Sequence, residues 1–127
     1  MRSFASAVVL VAMAASALAQ TSNGGGLFKD ARAREAVLRR DIDTRKAAAP
    51  ATPLLERART LVHAFEDISQ LFPRSADADD ALWHGASLSA DAFWEFGQVE
   101  DRTTALRLFK LLVNRYPAST LVKQLGQ

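Results

Sequence analysis

The sequence predicts an all-α fold of antiparallel helix pairs, four helices followed by a short C-terminal helical piece. Two observations carry that expectation. A pattern occurs twice, first as Leu61, Phe65, Ile68, Phe72-Pro73 and Ser75, then as Ala105, Phe109, Leu112, Tyr116-Pro117 and Ser119. Each copy spaces its apolar residues for one helix face and stops in an aromatic-Pro-x-Ser tail. The second observation is punctuation: Pro50 and Pro53, Pro73, Gly97 and Pro117 fall between the apolar-periodic stretches, where helices must end.

The first 19 residues read as a secretory leader. Arg2 gives a positive start, Ala5 to Ala15 is apolar apart from Ser6, and Ala17-Leu18-Ala19 offers small residues for cleavage after Ala19. The apolar run is shorter than the roughly 20 residues a membrane span needs, so no membrane span is expected after cleavage. Cysteine is absent, leaving neither a lipidation site nor a disulfide. A periplasmic or secreted product is expected. Residues 20–26, polar and glycine-rich, are expected to be a flexible tether, and residues 27–127 the helical-repeat domain.

Within that domain, Leu27 or Phe28, Ala31, Leu38 and Ile42 recur on one side of a first helix and arginines fill the rest. Ala47 to Pro53 breaks it. Thr52 is expected to cap a second helix with Pro53 at its first position, and Leu55, Ala58, Leu61, Val62, Phe65, Ile68 and Phe72 form its wide apolar face. Ser75 is the expected cap of a third helix, with Asp77, Asp79 and Asp80 favouring the positive end of its dipole. Those aspartates lack the glycine and the terminal glutamate of a calcium loop, so capping is the preferred reading. Gly85, Ala86 and Ser89 are small at helix-contact spacing and predict close approach of a neighbour. Gly97 is expected to close this helix and Asp101 to cap a fourth, whose face is Ala105, Leu108, Phe109, Leu112 and Tyr116. Ser119 should cap a last helical piece carrying Leu121, Val122 and Leu125.

Sixteen lysines and arginines against fourteen acids leave a formal charge of +2, too little to argue for nucleic acid. The distribution is uneven. Lys29, Arg32, Arg34, Arg39, Arg40, Arg45 and Lys46 crowd the first helix, whereas Asp77, Asp79, Asp80, Asp91, Glu95, Glu100 and Asp101 sit together with no lysine or arginine between them. Two solvated faces of opposite sign, facing each other across the fold, are expected.

No catalytic, cofactor-binding or metal-ligating set emerges. His63 and His84 are the only histidines and have no cysteine to join them at a zinc site. The adjacent acids Glu66-Asp67 and Glu100-Asp101 point to different helix faces or to a cap. No serine has the strand-turn-helix setting of a nucleophile elbow, and Gly24 to Gly26 follows no strand. Trp83 and Trp94 are expected to pack between helices, the competing reading being exposed anchors for a ligand.

The second-helix pattern Ala105, Phe109, Leu112, Pro117, with Leu61, Phe65, Ile68, Pro73 as its first copy, resembles the tetratricopeptide family. Its copies lie further apart than the usual repeat of about 34 residues. A narrower resemblance runs from Leu27 to Val122. Ala33 to Arg39, Phe72 to Ser75, Asp79 to Trp83, Ala92 to Gly97, Asp101 to Ala105 and Tyr116 to Ser119 look like the helical module ahead of the catalytic domain in some bacterial N-acetylmuramoyl-L-alanine amidases. That resemblance implies zinc-dependent cleavage between muramic sugar and stem peptide in a catalytic half this sequence does not contain. The preferred expectation is an exported noncatalytic helical-repeat interaction module of the cell envelope, with a protein or peptide partner near peptidoglycan. The alternative is the N-terminal module of such an amidase. About two helix pairs is fewer than the three repeats such arrays usually need, which predicts an additional partner surface. Neither that surface nor the oligomeric state is specified by the sequence.

Overall fold

The computed structural model describes the backbone of residues 12–127 and the side chains of residues 24–127. Residues 1–11, most of the expected leader, lie outside the described residues. Among the described residues five helices follow one another, with no strand: α1 (Ala12–Thr44), α2 (Thr52–Leu71), α3 (Ala78–Phe96), α4 (Val99–Arg115) and α5 (Thr120–Leu125). This is the expected all-α architecture of four helices and a short C-terminal one.

Short connections force antiparallel neighbours. The end of α1 meets the start of α2 through Arg57 and Asp41 at 2.8 Å. At the other end, Gly24 of α1 lies against Phe72, where an added Cβ would come within 3.0 Å of the ring. At residues 20–26, expected as a tether, the backbone is helical and continuous with α1, and Gly24 is buried where α1 crosses the aromatic residue ending α2.

The duplicated sequence pattern is a duplicated backbone geometry. Phe72 ends α2 with φ −128° and ψ 58°, and Tyr116 ends α4 with φ −128° and ψ 56°. Phe72 N–H bonds to the Ile68 carbonyl and Tyr116 N–H to that of Leu112, both at 2.9 Å. Ser75 and Ser119 then bond back to the Phe72 and Tyr116 carbonyls at 3.0 Å. Each serine hydroxyl also accepts the N–H two residues on, Asp77 at 3.3 Å and Leu121 at 3.2 Å. Proline after the aromatic residue excludes the helical region for that residue, so the same dipeptide yields the same stop twice.

Three cap positions differ from expectation. Thr52 is the first helical residue of α2 and Ala51 precedes it without a side-chain cap. Ser75 shapes the turn before α3 and does not cap the helix, which begins at Ala78. Asp101 lies inside the first turn of α4, behind Gln98, because its carboxylate is drawn into the interior. Ser119 does cap α5, and Gly97 does close α3, at φ +76° where a side chain would be strained.

α3 packs between α2 and α4, α1 packs on α2, and α5 touches α3. The core runs from Leu38 through Leu61, Phe65 and Ile68 to Leu82 and Leu88, then Leu108 and Leu112. Gly85 sits at the crossing: an added Cβ would lie 3.2 Å from Phe65 Cβ, 3.5 Å from Leu108 Cδ1 and 3.5 Å from the Val62 carbonyl. Ala86 and Ser89 are buried on the same helix, as their size predicts. Gly85→Leu should therefore lower stability by about 3 kcal/mol in urea denaturation, the upper range for overpacking a filled core. An effect below about 0.5 kcal/mol would contradict the tight crossing.

Candidate functional site

A groove runs between α1 and α3. Arg32, Ala36, Arg39 and Asp43 on α1 face Trp83, His84, Ser87, Asp91, Trp94 and Glu95 on α3 across two adjoining pockets of about 310 and 260 Å³ that share Arg39. Their spacing is that of one face on each helix. A more apolar cleft of about 650 Å³ lies between α1 and α2, lined by Val37, Leu38, Pro53 and Leu61.

The floor of the first pocket is an unexpected charge. Glu35 occupies the core-facing stripe of α1 between Ala31 and Leu38 and is only 5% exposed. Arg39 clasps its Oε1 at 2.9 to 3.0 Å. Its Oε2 lies 3.0 Å from Nδ1 of His84 and 3.3 Å from Nε of Arg32 but accepts no aligned hydrogen bond among the described residues. It retains acceptor capacity beside the pocket. Arg32 Nη1 stands 2.9 Å from Nε2 of His84; guanidinium can only donate, so Nε2 accepts and the ring proton resides on Nδ1. The His84 ring stacks on Phe65 and meets Phe28 edge-on, which fixes its plane. Burial pushes the Glu35 carboxyl up, but the nearby His84 ring and the Arg39 guanidinium outweigh it and hold the group below the ordinary carboxylate value.

The other end of the groove is aromatic and acidic. Arg39 reaches Asp91 at 2.6 Å, joining the basic face of α1 to the acidic face of α3 as the charge pattern predicts. Arg45 lies over the Phe96 ring at 5.1 Å. Asp43 and Glu95 line the same pocket and form no ion pair among the described residues. The tryptophans part company. Trp83 packs edge-on against Phe109, as expected, whereas Trp94 is 82% exposed at the groove mouth, correcting the reading that it packs between helices.

Two more buried carboxylates join α2 to α4. Glu66 takes both Arg107 nitrogens at 2.6 and 2.8 Å. Asp101 takes two from Arg59 at 3.0 Å, while its carbonyl accepts the Ser89 hydroxyl at 2.7 Å. The adjacent Asp67 and Glu100 are exposed, so each acidic pair does split between faces. His63 is exposed, away from the groove. Glu35 was legible only as a charge at the i+4 position of an apolar stripe. Among the described residues no group of three or more metal-ligating side chains assembles, and no helix is long and apolar enough to cross a membrane. The arrangement offers hydrogen-bonding, ionic and aromatic contacts along a groove. No family model, curated protein or solved structure matches the chain.

The Arg107 hydrogen bonds lower the Glu66 carboxyl below its ordinary 4.5 against the opposing effect of burial. A folded-state value below the unfolded one stabilises above the unfolded value, and the gain is lost as pH falls through the folded one. Urea midpoints should therefore hold from pH 7 to about 5 and decline below about 4.5. Glu66→Gln should flatten that decline and cost about 1 to 2 kcal/mol at pH 7, discounted because Arg107 is half exposed. An unchanged acid slope in the variant would contradict this assignment.

Proposed function

We propose that the chain is a noncatalytic helical-repeat interaction module of the cell envelope whose α1–α3 groove receives a protein or peptide segment. The observation that carries the reading is the groove itself, with Trp94 standing almost fully in solvent at one end and a buried carboxylate oxygen left without a hydrogen bond at the other. An exposed tryptophan with Asp43 and Glu95 beside it suits a lysine or arginine side chain, whose cation gains from the indole face and from both carboxylates. The repeat character of the module is supported by the duplicated turns at Phe72 and Tyr116. Export is supported by the Arg2 to Ala19 leader pattern, and a setting near peptidoglycan by the resemblance running from Leu27 to Val122.

Selection of the purified full chain against a random peptide library should enrich sequences carrying lysine or arginine. Trp94→Ala should weaken binding of the enriched peptides by about tenfold or more. The same change should leave folding stability within about 0.5 kcal/mol, since the side chain is in solvent. Enrichment indifferent to charge, or peptides that bind the variant equally well, would overturn the groove assignment. Release of stem peptides from purified peptidoglycan by the chain alone would overturn the noncatalytic one.

A further inference from the structure

α4 carries two apolar lines. One, Ala105, Leu108 and Leu112, is buried against the core. The other, Val99, Leu106 and Val113, recurs every seven residues and is exposed at 68%, 51% and 40%. Seven residues come within about 20° of two full turns, so the three side chains form one row, about 21 Å long, on the outward part of the helix. Scattered surface apolar residues are ordinary; a straight row at this spacing is the pattern one helix offers another. By helical position Arg102 and Lys110 flank Leu106 on either side, within about half a right angle. Neither forms an ion pair among the described residues, whereas Arg107, turned further round the helix, is held by Glu66.

We propose that the Val99–Leu106–Val113 face of α4 docks an amphipathic helix of a partner protein, its apolar seam at heptad spacing and its flanks acidic. Charge selects the occupant. A second copy meeting the same face would gather two Arg102 and two Lys110 side chains around the seam with no acid among the flanking residues, which opposes self-association. Glutamates or aspartates on an incoming helix would instead meet Arg102 and Lys110 along both edges, and burial of the row would supply the attraction. This face lies outside the α1–α3 groove, so its occupancy does not depend on a groove ligand.

The test uses the full chain and two synthetic helical peptides of about 20 residues with the same leucine heptad seam, one flanked by glutamates and one by lysines. Fluorescence anisotropy should show binding of the glutamate peptide, weakening as salt is raised, and at least about tenfold weaker binding of the lysine peptide. Leu106→Asp, with its fold confirmed by circular dichroism and an unchanged Tm, should reduce binding of the glutamate peptide by about tenfold or more. The paired change Arg102→Glu with Lys110→Glu should reverse the peptide preference. Equal binding of both peptides, failure of the glutamate peptide to bind, or indifference to Leu106→Asp would overturn the proposal. So would a dimer, seen by sedimentation, that Leu106→Asp dissolves, because a second copy would then occupy the face.

Discussion

The fold depends on α3 being able to touch α2 and α4 at the same level. Helices with ordinary side chains at the contact stay about 8 to 10 Å apart, and a central helix pressed from both sides must be small where its neighbours converge. Gly85 meets that requirement: Phe65 from one side and Leu108 from the other reach its backbone. Glycine inside a helix costs about 1 kcal/mol relative to alanine. Burial of Phe65 and Leu108, at roughly 1.5 to 3 kcal/mol each, outweighs that cost. α3 is also apolar around much of its surface, which suits a helix with neighbours on more than one side.

Onto this apolar centre the chain adds polar pins, and these link alternate helices. Glu35 joins α1 to α3 through His84, while Glu66 and Asp101 join α2 to α4 through Arg107 and Arg59. A hydrophobic contact tolerates sliding; a carboxylate engaged by both nitrogens of a guanidinium does not. Desolvation of such groups offsets much of their attraction, so their main effect is on register. Tyr116 reinforces it by donating its hydroxyl to the Pro73 carbonyl at 2.8 Å, tying the second copy of the turn to the first. The groove between α1 and α3 is thus held in shape from below by Glu35 and across its rim by Arg39 and Asp91.

What the sequence disclosed well was local. The stops after Phe72 and Tyr116 follow from proline geometry, and the stop at Gly97 follows from the freedom of glycine at positive φ, so neither needs tertiary knowledge. Helix faces were equally readable, because burial follows the period of the apolar residues. The misses involve residues whose placement is decided by a distant partner. Asp101 has the chemistry of a cap, but Arg59 on another helix draws it inward. Glu35 is a single charge on a basic helix in the sequence, and only its meeting with His84 and Arg39 in the fold gives it a buried role. Trp83 and Trp94 share one helix and one residue type, yet only Trp83 has an aromatic partner across from it, Phe109. Residues 20–26 carry the composition of a tether, and nothing in that composition announces that Gly24 packs on Phe72 within a helix.

The functional reading rests on the α1–α3 groove, and the groove exists only if α1 is seated on α3 in the described register. A double-mutant cycle between Glu35→Gln and His84→Gln in urea denaturation tests that seating directly. A coupling energy of about 0.5 kcal/mol or more is expected, since the two side chains share one buried network. Additivity within about 0.3 kcal/mol would mean that Glu35 and His84 do not meet, and would contradict the groove and the function proposed for it.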